Sequence, residues 1–137
     1  MEQEQQTILV SAPNKPGEAF IRQLQFGSIP FAVIVNNKAE QARLQELGAE
    51  QIVMVDTNEE NTWLLPEWPV GKVFLFENSL TLCCRYIRIC RSWTSEPLYV
   101  ITQSNNPRLI YKGLGANYVI HTNSNEVSFL IHSAHEG

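Results

Sequence analysis

The chain has 137 residues, 44% of them hydrophobic and 18% charged, with a formal net charge of −4. That is the size of one domain, able to bury roughly two thirds of its unfolded surface in a single core. No window approaches the roughly 18 uninterrupted apolar residues that a membrane helix needs, so membrane insertion is not expected, and the acidic balance argues against nucleic acid as a partner.

The opening "MEQEQQ" has neither the basic nor the apolar region of a secretory signal, and a cytoplasmic location is expected. Beyond it, short β-branched runs alternate with helical patterns to the end of the chain, the signature of a parallel sheet covered by helices on both faces. Strands are predicted at residues 7–11, 31–36, 51–56, 72–77, 98–102 and 118–121. Their cores "ILV", "FAVIV", "IVMV", "VFLF", "LYVI" and "YVI" are nearly continuous apolar runs, as strands buried on both faces require.

The first helix is predicted to open at Pro16 or Gly17, where proline costs no hydrogen bond. Gly17, Phe20, Ile21 and Leu24 then fall on one face, which places Gly17 toward the sheet. A second helix, about 38–47, ends in "LGAEQIVMV", and another, about 107–114, ends in "LGANYVI". In each a glycine can take the left-handed C′ position. The repeated Leu-Gly-Ala reads either as two related halves or as shared helix-stop chemistry. Between the third and fourth strands, "TNEENTWLLPEWPVG" is proline-broken, an irregular connection or a single helical turn. The helix over 80–93 carries two apolar stripes, Leu80, Cys83, Cys84, Ile87 and Leu82, Tyr86, Ile89, Trp93. One stripe covers the sheet, and the other is expected to face water unless a second subunit covers it. Cys83, Cys84 and Cys90 have no disulfide or metal spacing and read as small reduced core residues. The last helix is predicted to open with Asn123 and Glu126 in a capping-box-like spacing and to bury Val127, Leu130, Ile131 and Ala134. No linker divides the chain. Residues 1–137 are read as one domain, a doubly wound three-layer α/β Rossmann fold with a six-stranded parallel sheet in the order 3-2-1-4-5-6.

In such a sheet the ligand crevice lies beyond the carboxyl ends of the strands, where strand order reverses between the first and fourth. This selects Ser11, Ala12, Pro13, Asn14, Lys15 and Gly17 after strand one, and Asn36 and Asn37 after strand two. It also selects Asp56 and Thr57 after strand three, Glu77 and Asn78 after strand four, and 102–104 after strand five. The first loop, S-A-P-N-K-P-G, lines up with G-x-x-G-x-x-G, and less well with G-x-G-x-x-G. Gly17 keeps the third glycine, which serves helix-to-strand packing, while the two that serve the tight turn and the pyrophosphate are replaced. Asn14 is a partial substitute because asparagine tolerates the left-handed region. Ser11 adds a side chain whose hydroxyl can donate to phosphate, and Pro13 removes an amide. A charge-assisted hydrogen bond is worth roughly 1.5–3 kcal/mol, so losing one or two weakens binding by about one to four orders of magnitude. Lys15 and the helix N-terminus favour an anion. Glu18 reads as dipole complementarity or as a charge that repels phosphate. At "VNNK", where an NAD enzyme carries an acid, Asn36 can meet a ribose and Lys38 a 2′-phosphate, or the pair is a helix cap and a solvated lysine.

With these elements in place, the chain resembles the nucleotide-binding lobe of the regulators of potassium transport, the RCK or TrkA N-terminal domain family. "PLYVITQSNNPRLIYKGLGANYVIHTNSNEVSFL" carries most of the likeness. The front half is similar to NmrA-like and other atypical short-chain dehydrogenase relatives, whose "L-x-x-L-G-A-E-x-V-x-x-D" pattern is echoed by "LQELGAEQIVMVD". The resemblance implies that residues 11–17 hold a diphosphate, that Asn36 meets the adenosine ribose, that Asp56 lies near adenine, and that the lobe assembles through its helices.

No catalytic constellation accompanies the loop. Tyr-x-x-x-Lys, G-x-x-x-x-G-K-[ST] and G-x-S-x-G are absent, and His121 is the only histidine placed near the crevice. The expectation is a stand-alone, non-enzymatic regulatory or nucleotide-sensing domain with a degenerate site for NAD(P) or an adenine nucleotide, forming a homodimer through residues 80–93. An NmrA-like reductase-type protein and a non-binding relic acting by protein contacts are the alternatives.

Overall fold

A computed structural model of the chain describes residues 6–56, 58–59, 63–104, 108–123 and 126–135. Six strands, β1 (Thr7–Ser11), β2 (Phe31–Val35), β3 (Ile52–Met54), β4 (Val70–Phe76), β5 (Leu98–Thr102) and β6 (Tyr118–His121), form one sheet in the order β3-β2-β1-β4-β5-β6. Every neighbouring pair is parallel, so the expected topology is the one observed. The helices described are α1 (Lys15–Phe26), α2 (Lys38–Glu46), α3 (Leu80–Trp93), α4 (Arg108–Leu114) and α5 (Phe129–His135). β4 begins earlier than expected because Val70 pairs with Thr7 of β1, whereas the edge strand β3 is limited to three residues.

Strand alternation sorts the apolar runs into two cores. Ile8, Val10, Phe74, Phe76, Tyr99 and Ile101 pack with Phe20, Ile21 and Leu24 of α1, Leu44 of α2 and Leu130 of α5. On the other face Leu9, Ile34, Val73, Leu75, Leu98 and Val100 pack with Ile87, Ile89 and Cys90 of α3 and Tyr111 of α4. Each fully buried Leu, Ile, Val or Phe contributes about 1.5–3 kcal/mol, and the double-sided burial is why the runs lack polar alternation.

Two helices stop in the same way. In α2, Gly48 (φ 97°) donates to Gln45 O at 3.0 Å and Ala49 to Leu44 O at 3.0 Å. In α4, Gly115 (φ 125°) donates to Lys112 O at 3.2 Å and Ala116 to Tyr111 O at 3.0 Å. Both are Schellman ends, so helix-stop chemistry accounts for the Leu-Gly-Ala echo.

The second stripe of α3 departs from expectation. Tyr86 and Ile89 are 3% and 0% exposed, and Leu82 and Trp93 are half-buried. The irregular connection before β4 supplies the cover, since Trp63 and Trp68 join the same core. Trp63 Nε1 donates to Asp56 O at 2.9 Å, and Trp93 Nε1 donates to Trp63 O at 3.3 Å. The indole rings thus pack against the core on this side, and the middle of the strip expected at a subunit interface, Tyr86 and Ile89, is internal. α5 also starts later than its expected cap. The Glu126 carboxylate accepts from Ser128 N at 2.8 Å, three residues after Asn123, although Val127 and Leu130 are buried as expected. No helix among the described residues is long and apolar enough to cross a membrane.

Candidate functional site

The loop after β1 is built around close packing. A Cβ on Gly17 would lie 2.7 Å from Ala12 Cα and 3.3 Å from Phe76 Cγ, so the residue the motif reserves for packing does pack. Asn14 departs from its expected role. Its backbone is extended (φ −141°, ψ 178°), and it caps α1 by accepting from Gly17 N at 3.1 Å. No left-handed residue is needed here because the polypeptide enters the helix by an ordinary N-cap. The cap uses an amide that a phosphate would otherwise receive, and Pro13 and Pro16 have none to offer. Ser11 is the last residue of β1, 5% exposed and paired with Leu75, so its hydroxyl is inside the sheet edge. Lys15 is exposed beside the loop.

Arg43 of α2 was not signalled by the sequence. Its Nη2 donates to Ala12 O and, at 3.1 Å, to Glu40 Oε1, and its Nη1 to Glu18 Oε2. Its Nε also donates to Glu40 Oε2 at 3.0 Å. Glu40 first, by hydrogen bonding, and Glu18 raise the guanidinium's pKa against the burial that lowers it. Glu18 sits in the first turn of α1, as dipole complementarity expects, and also anchors the arginine that holds the loop from α2.

The residues after β2 and β3 are bonded within their own turns. Asn37 caps α2, accepting from Glu40 N at 2.8 Å, and its Nδ2 donates to Asn36 Oδ1 at 3.2 Å. Lys38 is exposed, which matches the helix-cap reading of "VNNK". Asp56 is exposed, and its Oδ1 accepts from Asn58 N at 2.9 Å. Thr57 lies outside the described residues. Asn36, Asn37 and Asp56 thus present polar groups at the turns after β2 and β3.

Glu77, just past β4, is the most connected of the candidates. Its carboxylate accepts from Thr102 Oγ1 at 2.5 Å and from the Tyr111 hydroxyl, while its backbone N donates to Ile101 O at 2.8 Å. Burial, then the bond to Glu77, push the Tyr111 hydroxyl's pKa up. Asn14 Nδ2 donates to Glu77 O at 3.0 Å, which joins the first and fourth strand ends. Between them, walled by Ser11, Pro13, Phe76, Leu82, Cys83 and Tyr86, the switch-point crevice measures about 10 Å³, on the scale of one water molecule. A larger cavity of about 290 Å³ lies further along the edge, lined by Thr102, Ser104, Arg108, Val119 and His121. Among the described residues no cluster of three His, Cys, Asp or Glu side chains could hold a metal.

These features define a doubly wound Rossmann fold. No family model and no curated protein matches the sequence. Solved structures share the fold. The GsuK channel bound to NAD matches 88% of this chain with a TM-score of 0.69 and 17% identity, and the chain spans 22% of that channel's length. The NAD(P)-binding domain of an exopolyphosphatase-related protein from Archaeoglobus fulgidus matches with a TM-score of 0.68 and 18% identity over 95% of this chain and 94% of that one. The TrkA-N domain of the inner membrane protein YbaL from Escherichia coli matches with a TM-score of 0.68 and 15% identity over 99% and 100%. The chain shares the Rossmann fold of these TrkA-N and RCK domains.

Proposed function

We propose that this chain is a regulatory Rossmann domain of the TrkA-N kind that binds NAD(P) or an adenine nucleotide weakly and acts through protein contacts without catalysing a reaction. The observation that carries this reading is the β1–α1 loop. It keeps the glycine that seats α1 against the sheet, while its anion-binding amides are removed by Pro13 and Pro16 or used by Asn14. Lys15 and the positive end of α1 still attract an anion, so binding is weakened and not abolished. The GsuK channel bound to NAD and the archaeal NAD(P)-binding domain give the ligand class its support. The regulation of potassium transport implied by the family resemblance is part of this proposal.

Calorimetric titration of NAD(H), NADP(H), ATP, ADP and AMP tests it. Binding to one of them in the millimolar range, about one to four orders of magnitude below an intact motif, is the expected result. Silence toward all five would sink the sensing role, and hydride transfer from NAD(P)H to a quinone would favour the NmrA-like reading instead.

A further inference from the structure

The crevice between the carboxyl ends of β1 and β4 is where the far half of a dinucleotide must pass, and its volume of about 10 Å³ is far below the roughly 300 Å³ at which ligand pockets begin. One side chain bridges the two loops that flank it, whose Pro13 and Asn78 line the crevice. Asn14 Oδ1 accepts from Gly17 N at 3.1 Å, which completes the helix cap. A serine or threonine would serve that cap about as well. What asparagine adds is a donor, and that donor reaches Glu77 O at 3.0 Å across 63 residues of chain. Glu77 is itself anchored on the far side, its backbone N bonded to β5 and its carboxylate to Thr102 of β5 and Tyr111 of α4. The phosphate loop is therefore tied to a post set in the opposite half of the sheet.

We infer that Asn14 is the gate of the switch-point crevice: while its Nδ2–Glu77 bond stands, the loop cannot draw away from β4, and a dinucleotide is confined to the β1–β2 side. The inference rests on the proposed nucleotide role and adds its regulation. Loss of one neutral hydrogen bond changes an equilibrium roughly two- to tenfold, a range in which a ligand or partner can move the gate.

Asn14→Ser separates the two bonds, because the hydroxyl keeps the cap, carries no charge and is too short to reach Glu77. Cys83 lies in the crevice wall at 4% exposure and Cys90 is 0% exposed deeper in the core, so in a Cys84→Ser background the two thiols report local opening and global unfolding separately. Asn14→Ser is expected to speed maleimide labelling of Cys83 two- to tenfold while Cys90 labelling is unchanged, and to tighten NADH binding by the same factor. Faster Cys83 labelling with no NADH response would uphold the gate and remove the nucleotide role. Cys83 labelling that is unchanged, or that rises only in step with Cys90, would overturn the gate.

Discussion

A methyl group on Gly17 would sit 2.7 Å from Ala12 Cα and 2.8 Å from Ala12 Cβ, both in a loop that Arg43 and Asn14 hold in place. Neither neighbour is the free end of a flexible side chain, so the backbone itself must shift. Gly17→Ala is expected to lower stability by about 1–3 kcal/mol, the range for overpacking a well-packed site. Gly113 in α4 is the control, because a Cβ there meets nothing within 4 Å. Gly113→Ala should stabilise by about 0.4–1 kcal/mol through lower unfolded-state entropy and better helix propensity. Urea midpoints that move in opposite directions for the two variants confirm the reading, whereas a neutral Gly17→Ala would contradict it. The packing role of Gly17 was legible because helical periodicity alone places it toward the sheet. The loss of its amide to Asn14 was not, since capping by Asn14 and a left-handed Asn14 are equally compatible with "APNKPG" and demand different backbones.

At the scale of elements, the ends of α2 and α4 were legible because glycine occupies C′. α1 also closes with the Schellman pattern, Ser28 N to Gln25 O at 3.1 Å and Ile29 N to Leu24 O at 2.9 Å, but the left-handed residue is Ser28 (φ 55°) and Gly27 sits one position early. The α3 stripes were misread. The pattern showed two apolar faces, yet the indole cover comes from a connection with no periodicity of its own. The resulting burial has a chemical consequence. Desolvation pushes the thiols of Cys83 and Cys90 up from 9.0 to about 12. The folded chain keeps these protons while the unfolded chain releases them above about pH 9, so the native state binds more protons and stability falls with rising pH there. The contribution is whole below the unfolded value and is lost between it and the folded value, at up to about 1.4 kcal/mol per pH unit for each thiol. Burial raises Tyr86 and Tyr111 in the same direction. Urea midpoints measured from neutral pH upward should be level until about pH 9 and then decline, and Cys90→Ala should shallow that decline whatever it does to the starting value. An equal slope in wild type and variant would refute the assignment.

At the scale of the molecule, fold and site differ in how far their determinants lie apart. Strand order followed from six nearly continuous apolar runs, the four central ones largely buried, and the rule that parallel crossovers place helices on both faces, signals contained in stretches of a few residues. The bonds that shape the site cross the fold: Asn14 to Glu77 over 63 residues, Arg43 to Ala12 over 31, Tyr111 to Glu77 over 34. No local pattern announces such a reach, which is why Arg43 and Tyr111 emerge only with the fold. Assembly depends on the same distinction between what a helix shows in isolation and what remains after packing. With Tyr86 and Ile89 enclosed, the large apolar side chains that α3 and α4 leave in water among the described residues are Leu80, Leu109 and Ile110, at 47%, 83% and 53% exposure. Two adjacent, strongly exposed aliphatic residues on α4 suit the desolvated centre of an interface, where charge is disfavoured. We propose that the chain forms a homodimer through this layer, with its contact centred on α4 and not on the second α3 stripe. Light scattering after size exclusion at micromolar concentration should give twice the chain mass. Leu109→Glu, an exposed change expected to alter folding stability by no more than about 0.5 kcal/mol, should return the chain to monomer. A monomeric wild type, or a Leu109→Glu variant that stays dimeric, would rule out this interface.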